Sequence, residues 1–327
     1  MTRTMRAVVL DAPGPPEALQ IRSLPVPAPR PGWVLLRVEA FGLNRSELHT
    51  RQGLAGDSVT YPRILGIEAT GVVEAAPDDP AWVGRTAVAM MGGMGRTYDG
   101  GYAEYTLVPK SQVVLVDTEL DWARLGALPE VLQTAYGSMT VGMDAHDGDT
   151  ILVRGGTSSV GMMVAALGRA RGMRVLATTR HAARASALRA VGVTDVLVDG
   201  GEIAGAVREL VPGGVDAAVE LVGAATLRDT LRCTRKGGTV CFTGMLSGVW
   251  TVPEFYPIEF IPTGVRLTAY GGDASDLPSH VLEEVAAAVH AGTIDLPVKV
   301  YAMDEIAQAH DDMEHDRVAA RQVVRVR

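Results

Sequence analysis

Residues 150–180, TILVRGGTSSVGMMVAALGRARGMRVLATTR, constrain the fold of this chain more than any other stretch. An apolar run that ends at Gly155 and Gly156 is typical of a buried parallel strand. The proline-free segment that follows predicts a helix, and residues 174–177 predict a second strand. Together they predict one βαβ unit, the building block of a doubly wound α/β fold.

The turn after the first strand has the small residues that a phosphate-binding turn needs. Glycine lets the backbone approach a pyrophosphate, and the helix N-terminus beyond it offers N–H groups and partial positive charge. The strict fingerprint has three glycines, and Ser158 stands at the middle position. The hydroxyls of Thr157, Ser158 and Ser159 are therefore candidate donors to phosphate oxygens. The alternative is a glycine-rich strand-to-helix turn that binds no ligand.

The end of the second strand indicates which dinucleotide is bound. It carries Thr178, Thr179 and Arg180 rather than the Asp or Glu that accepts a hydrogen bond from an adenosine ribose hydroxyl. An arginine at this place suits a 2′-phosphate, so NADP(H) is favoured over NAD(H). The alternative is that Arg180 and Arg184 are solvated charges at the start of a helix.

Length and composition exclude several classes of protein. With 327 residues, 47% hydrophobic and 21% charged, the chain is globular and long enough for two domains. A net charge of −8 without a dense Lys/Arg run argues against a nucleic-acid partner. Two cysteines exclude a disulfide framework and a cysteine-rich metal site. Because no apolar signal core or membrane-length run is found, we expect a cytoplasmic protein without a membrane partner.

The rest of the chain divides into two patterns. Short strands with Gly/Pro turns fill the first third, which predicts a β-rich region. Helices and strands alternate after residue 180, and two of the strands end at Val222 and at Thr243–Gly244, which should border the cofactor. Residues 265–270 predict the last strand of that sheet, an edge that a second subunit would extend to form a homodimer.

Several motifs in order resemble the zinc-independent quinone oxidoreductase branch of the medium-chain dehydrogenase/reductase superfamily. They are LNRSELHTRQG, GIEATGVVE, GGYAEYTLVP, LQTAYGSM and ILVRGGTSSVG, and the resemblance covers essentially the whole chain. It implies an α/β fold with a Rossmann doubly wound parallel sheet plus a β-rich GroES-like catalytic domain. The implied domains are residues 1–121 and 272–327 for the catalytic domain and 122–271 for the NADP(H)-binding Rossmann domain, with the active site in the cleft between them.

Two departures from the zinc-dependent relatives bear on the metal. Those relatives carry a cysteine ligand where this chain has Asn44, Arg45 and Ser46, and a Gly-His-Glu where it has Gly66, Ile67 and Glu68. A catalytic zinc site needs three protein ligands and a water, so we expect no metal. Glu68 is then either a buried structural carboxylate or a residue of the pocket.

The resemblance implies an NADPH-dependent reductase that transfers hydride to small-molecule quinones or α,β-unsaturated carbonyls. A 2-enoyl thioester or alkenal reductase on the same scaffold and a non-catalytic NADPH-binding protein are the alternatives. The candidate catalytic residues are Asn44, as donor to the substrate oxygen, and either Glu47 or His49, as a proton relay. Glu47 and His49 are two positions apart on a helix and do not face one another, so only one of them is expected to act. The alternative for His49 is an exposed helix residue without a catalytic role. The candidate cofactor residues are Asn44, Thr134, Gly155, Gly156, Thr157, Ser158, Ser159, Val160, Gly161, Thr179, Arg180, Val222, Thr243 and Gly244.

Overall fold

The chain forms two compact units in a computed structural model that describes residues 3–318 and 320–327. One unit combines the described parts of Met1–Glu130 and Asp273–Arg327, and the other is Val131–Gly272. The boundaries predicted from the sequence lie after residues 121 and 271, whereas the structure has them after Glu130 and Gly272.

The N-terminal part of the first unit consists mainly of strands. Its elements are β1 (Thr4–Leu10), β2 (Leu19–Pro25), β3 (Trp33–Gly42), α1 (Arg45–Arg51), β4 (Arg63–Ile64), β5 (Glu68–Ala75), β6 (Thr86–Met90), β7 (Tyr105–Pro109), β8 (Val113–Leu115) and α2 (Trp122–Leu125). Helix α3 (Pro129–Gly137) follows, and from Val131 onward it belongs to the second unit, where it continues as the π-helical turn Ser138–Gly142. Helix α2 is short because the Asp121 carboxylate caps it at one end and Gly126 is its C-cap at the other.

The second unit is the doubly wound α/β sheet that the sequence predicts. Its elements are β9 (Thr150–Arg154), α4 (Ser159–Ala170), β10 (Arg174–Thr179), α5 (Ala185–Ala190), β11 (Asp195–Val198), α6 (Ala204–Leu210), β12 (Val215–Glu220), α7 (Ala224–Cys233), β13 (Thr234–Phe242), α8 (Pro257–Phe260) and β14 (Arg266–Ala269). All strand pairs are parallel, in the order β11-β10-β9-β12-β13-β14. The order reverses between β9 and β12, which is where such sheets bind dinucleotides. Strand β14 lies at the sheet edge, as predicted.

The C-terminal segment completes the first unit. It contributes α9 (Ser279–His290), β15 (Val298–Ala302), α10 (Ile306–Glu314) and β16 (Arg321–Arg325). Strand β16 pairs with β3, so the seven-stranded sheet runs β15-β16-β3-β5-β6-β8, with β7 also paired to β3. A smaller sheet has the order β2-β1-β4. This β-rich architecture confirms the predicted fold class.

Each unit has its own apolar core. In the first unit, Phe41 and Leu36 of β3 are fully buried beside Tyr102. In the second, Leu152 of β9 and Leu176 of β10 pack with residues of α6 and α7. Such burial is the main stabilising term for both units. Among residues 3–318 and 320–327, no helix combines the length and apolarity required to cross a membrane.

Candidate functional site

The glycine turn after β9 is built for close backbone approach. Gly155 has φ +85°, a conformation that favours glycine, and a Cβ there would lie 3.2 Å from the Leu221 Cβ. A Cβ on Gly161 would lie 2.7 Å from the Gly155 carbonyl oxygen, so helix α4 packs on the turn without room for a side chain. Gly156 is equally tight, at 2.8 Å from the Ala177 Cβ. This glycine cradle fits the pyrophosphate of a dinucleotide.

Ser158 fixes the start of α4. Its hydroxyl donates to the Gly155 carbonyl oxygen (2.9 Å) and accepts from the Gly161 N–H (3.1 Å). The Ser158 hydroxyl therefore caps the helix, and the expectation that it donates to a phosphate would require the bond to Gly155 to break. The N–H groups of Ser159 and Val160 are those that helix geometry leaves without an internal carbonyl. They, rather than the Ser158 hydroxyl, are suited to phosphate oxygens.

The end of β10 lies against this turn. The Thr178 hydroxyl accepts from the Gly155 N–H (2.9 Å), and the Thr178 carbonyl accepts from the Gly156 N–H (3.0 Å). Thr179 is buried, and its hydroxyl donates to the His181 carbonyl oxygen (3.2 Å). Arg180 is the first exposed residue after the strand. An exposed cation thus follows the strand end where adenosine binds in folds of this kind.

The loop after β12 is held by a buried carboxylate. Glu220 accepts hydrogen bonds from the N–H groups of Val222 (2.7 Å) and Gly223 (3.0 Å), and burial raises its pKa. Its backbone carbonyl accepts from the N–H groups of Thr243 and Gly244, both at 3.0 Å. The predicted residues Val222, Thr243 and Gly244 are therefore brought together around one strand end.

Arg154 is a residue of this region that the sequence analysis missed. It is the last residue of β9, is fully buried, and forms ion pairs with Asp199 and Asp229. Burial acts to lower its pKa, but the hydrogen bonds that it donates to both carboxylates outweigh that effect and the pKa is raised. The signal that would have found it is a charged residue that ends an otherwise apolar strand.

Asn44 lies in the first unit at the start of α1 and is only 6% exposed. Its amide nitrogen donates to Glu68 (2.9 Å) and to Glu47 (3.3 Å), and its amide oxygen accepts from Arg321 (2.8 Å). Both amide hydrogens are thus directed at carboxylates. The role predicted from the sequence, a donor to the substrate oxygen, would require one of these two bonds to break.

Glu47, one turn into α1, is 1% exposed. Its carboxyl oxygens accept from the N–H groups of Ile67 (2.9 Å) and Asn44 (3.0 Å). Burial raises the pKa of Glu47 to about 7, and the negative charge of Glu68 adds to the effect. Glu47 therefore titrates near neutral pH while remaining out of contact with solvent.

The contacts of Glu68 are those expected of a buried structural carboxylate, one of the two alternatives left open by the sequence. Glu68 is fully buried, it accepts the Glu130 N–H (3.0 Å), and it forms an ion pair with Arg321. The donor set here is unlike that of a zinc site, because the amide of Asn44 and the guanidinium of Arg321 donate to Glu68 and the residue before Glu68 is the apolar Ile67. In the described part of the chain, no group of three His, Cys, Asp or Glu is placed to hold a metal.

His49 differs from Asn44 and Glu47 because its side chain is only partly buried. Burial lowers the pKa of its imidazole, and the nearby cations Arg45 and Arg96 lower it further. Arg96 also donates to the Ser46 hydroxyl, which joins the loop after β6 to α1. His49 is thus a partly solvent-accessible imidazole with two cations nearby, and its lowered pKa favours the neutral form.

Two further buried polar groups lie close to this cluster. The Tyr102 hydroxyl is 3.1 Å from the His310 Nε2, and both residues are fully buried. Burial lowers the pKa of His310 to about 3, with help from Arg51, so the imidazole is neutral. The Tyr61 hydroxyl donates to the Thr50 carbonyl oxygen (2.9 Å), which ties Tyr61 to helix α1.

The predicted site residues thus fall into two groups. Asn44, Glu47 and His49 belong to the first unit, and the glycine turn with the strand ends around it belongs to the second. Thr134 also belongs to the second unit, on α3, where it is partly buried. In the second unit, hydrogen bonds through Glu220 bring Val222, Thr243 and Gly244 together, and those through Thr178 hold the glycine turn against the end of β10.

Two family models match the chain. One, "Alcohol dehydrogenase GroES-like domain", matches residues 30–118, and the other, "Zinc-binding dehydrogenase", matches residues 159–287. The quinone oxidoreductase of Lama guanicoe is 28% identical over 98% of this chain and 97% of its own length. That of Homo sapiens is 26% identical over 98% of both chains. The crystal structure of AibC is 30% identical, covers 99% of this chain and 96% of its own, and superposes with a TM-score of 0.87.

The matched models agree with the two architectures of the structure, a GroES-like β-rich unit and a parallel Rossmann-like sheet. Coverage of nearly the whole length by relatives and by a solved structure means that both units match together. Members of this family bind nicotinamide cofactors and act on small molecules. The chain is therefore an oxidoreductase that belongs to the quinone oxidoreductase branch of the medium-chain dehydrogenase/reductase superfamily.

Proposed function

We propose that this enzyme transfers hydride from NADPH to quinones or α,β-unsaturated carbonyls and that it does so without zinc. The observation that carries the proposal is the set of groups around Glu68. The Arg321 guanidinium is hydrogen-bonded to Glu68 and to the Asn44 amide oxygen, at the positions where zinc-dependent relatives have ligands. A fixed cation and an amide there disfavour a second, divalent cation.

The cofactor assignment is supported by the second unit. The glycine cradle and the first turn of α4 would hold the pyrophosphate, and Thr179 and Arg180 would receive the adenosine ribose with its 2′-phosphate. Val222, Thr243 and Gly244 would border the opposite half, because they follow strands on the other side of the switch point. Bound NADPH would supply the hydride.

The proposed substrates are those that can be reduced without a metal ion to polarise the carbonyl group. Quinones and conjugated carbonyls spread the incoming negative charge over their own π system, so no metal is needed to polarise them. The residue that we assign to the oxygen is His49, which is partly accessible and neutral. A neutral imidazole can donate a hydrogen bond to a developing oxyanion. Arg45 and Arg96 add favourable positive potential at the same place.

One observation favours the second candidate, a reductase of 2-enoyl thioesters or alkenals. Arg96 is exposed, and among the residues that the structure describes it has no carboxylate within ion-pair distance. Many thioester carriers bear phosphate, so an exposed cation beside His49 would suit them. A quinone has no phosphate to pair with Arg96, so Arg96 would contribute to quinone reduction only through its positive potential at the developing oxyanion.

The cofactor preference is tested by binding. We expect Arg180→Ala to raise the NADPH dissociation constant about 10-fold or more and to leave that for NADH nearly unchanged, because only NADPH carries the 2′-phosphate. Arg189→Ala, on the exposed side of α5, is the matched control and should change neither constant. Equal losses for NADPH and NADH in Arg180→Ala would refute the assignment.

The acceptor class is tested by turnover. The purified enzyme would be assayed with NADPH and 1,4-benzoquinone, 9,10-phenanthrenequinone, trans-2-alkenals, a 2-enoyl thioester, and an alcohol/aldehyde pair. Reduction of the quinones would support the first candidate, and preference for the thioester with loss of that preference in Arg96→Ala would support the second. Turnover of the alcohol/aldehyde pair alone would contradict both.

We further propose a cytoplasmic homodimer joined through the edge strand β14. Its outer edge has no partner strand among the described residues, and an open edge is a template for pairing with another chain. Cys233 and Cys241 are buried free thiols, which is compatible with a reducing compartment. Light scattering should give the mass of a dimer, and a monomer at micromolar concentration would refute this arrangement.

A further inference from the structure

Arg154 is a buried charge that the proposed chemistry does not use. It ends β9 and lies two residues beyond Leu152, so both side chains are on the sheet face that α6 and α7 cover. The side chain has no exposed surface. A guanidinium removed from water is strongly destabilising unless it is paired and its hydrogen bonds are satisfied.

Every N–H of this guanidinium has an acceptor. An arginine has five such donors. Nε and Nη2 form a fork to the two oxygens of Asp199 (2.5 and 2.9 Å), and Nη2 also donates to the Gly201 carbonyl (2.8 Å). Nη1 donates to Asp229 (2.6 Å) and to the Thr230 hydroxyl (3.4 Å). A complete and bidentate set of this kind fixes the geometry of its acceptors.

The acceptors Asp199, Gly201 and Asp229 belong to, or are hydrogen-bonded to, one loop, residues 199–203, which follows β11. Asp199 and Gly201 belong to the loop itself. Asp229 holds its far end, because its carboxylate accepts from the N–H groups of Ile203 (2.8 Å) and Ala204 (3.2 Å). Arg154 and Asp229 therefore fix both ends of the loop.

The guanidinium is itself anchored to the centre of the sheet. Glu220 on β12 is paired in register with Arg154 on β9. The Thr230 hydroxyl that accepts from Arg154 donates to Glu220 (2.6 Å). Glu220 in turn holds Val222 and Gly223 with hydrogen bonds of its own. Hydrogen bonds thus connect loop 199–203 to β9 and β12, the strands on either side of the switch point.

In a doubly wound sheet the adenosine half of a dinucleotide lies over the strands on the β10 and β11 side of that point. We propose that Arg154 is a positioning residue that holds loop 199–203 in place for the adenosine half of the cofactor. The inference rests on the proposed NADPH function. Arg154 does not contact the cofactor, because its donors are all engaged within the chain.

The test separates the two halves of the cofactor by calorimetry. The ligands are NADPH, 2′,5′-ADP and reduced nicotinamide mononucleotide, and the variants are Arg154→Met and Asp199→Asn. We expect both variants to raise the dissociation constants of NADPH and 2′,5′-ADP about 10- to 100-fold, the range found when partners that orient ligand-binding groups are removed. The constant for the mononucleotide should change less than about threefold, because Glu220 still holds its own loop.

Arg174→Met is the matched control. Arg174 forms an ion pair with Asp195 on the same sheet. They are the first residues of β10 and β11, so the pair lies at the end of these strands that is far from loop 199–203. This variant removes an ion pair from the same sheet away from loop 199–203, so we expect its dissociation constants to equal those of the wild type. Arg154→Lys keeps the charge and loses the fork, so its binding should lie between those of the wild type and Arg154→Met.

A folded Arg154→Met or Asp199→Asn variant that binds 2′,5′-ADP like the wild type would overturn the proposal, and so would equal losses for both halves. If Arg154→Met does not fold, Asp199→Asn decides. Wild-type protein that binds none of the three ligands would refute the proposed function instead. Hydrogen exchange of the Gly201 and Ile203 amides in Arg154→Lys would then still show whether Arg154 holds the loop, since exchange equal to that of the wild type would refute the restraint itself.

Discussion

Replacement of Glu47 by glutamine should change how the stability of the first unit depends on pH. The Glu47 carboxyl is buried, and its pKa rises from 4.5 to about 7 on folding. Between these values the folded chain keeps a proton that the unfolded chain releases. The stabilisation is therefore complete below about pH 4.5 and is lost as pH rises through about 7.

The magnitude follows from the two pKa values. Each pH unit in this window is equivalent to about 1.4 kcal/mol, so the free energy of unfolding should fall by roughly 3 kcal/mol across it. Glutamine cannot titrate. The unfolding free energy of the wild type minus that of Glu47→Gln should thus fall by roughly 3 kcal/mol from pH 4.5 to pH 8, while other titrating groups cancel.

The assay is urea unfolding at a series of pH values, followed by tryptophan fluorescence. Trp250 would be replaced by phenylalanine in all proteins, so that Trp33, Trp82 and Trp122 report on the first unit alone. Leu48→Ala is the matched control, because it removes a buried neighbour without changing a titrating group. Its cost of about 2–5 kcal/mol should be independent of pH.

A difference between wild type and Glu47→Gln that is constant with pH would refute the reasoning. A rise with pH in the unfolding free energy of the wild type relative to that of Glu47→Gln would reverse the sign of the pKa shift. It would mean that Glu47 is ionised in the folded protein at pH 5 and that the N–H groups of Ile67 and Asn44 outweigh burial.

Three other substitutions test the packing of the two sites. Arg321→Met should cost about 3–5 kcal/mol in urea unfolding because it leaves the Glu68 charge buried without its partner, whereas Arg317→Met, at an exposed ion pair, should cost far less. Equal costs would contradict the buried ion pair. Asn44→Ala should cost about 1–3 kcal/mol in the same assay by removing a donor to Glu68, and a cost near zero would contradict its bridging role. Gly161→Ala should cost about 1–3 kcal/mol and weaken NADPH binding in calorimetry, because the new Cβ would meet backbone at 2.7 Å; unchanged binding would show that the turn tolerates the shift.

The second unit could be predicted from sequence because its signals are local. Apolar runs, glycines and helix periodicity along residues 150–242 predict the alternation of strands and helices, and β14 is found at the predicted edge. The glycine cradle was also predictable, since its residues adjoin one another in sequence. The Ser158 hydroxyl is an exception, because whether it serves the helix or a ligand depends on its rotamer.

The buried ion pairs could not be predicted in the same way. Arg154 meets Asp199 and Asp229 from 45 and 75 residues away, and Arg321 meets Glu68 across 253 residues. Only the fold decides which charges are buried together. For the same reason the sequence favoured Asn44 as a donor, whereas its neighbours in space, Glu47 and Glu68, take both amide hydrogens.

The most direct test of the central proposal is turnover by metal-free enzyme. The protein would be treated with chelator, its zinc content measured by mass spectrometry, and its oxidation of NADPH with 9,10-phenanthrenequinone compared before treatment, after treatment and after zinc is restored. We expect the same kcat/KM in all three states, with NADPH preferred over NADH. Activity that disappears with the metal and returns with added zinc would contradict a zinc-free site at Asn44, Glu68 and Arg321.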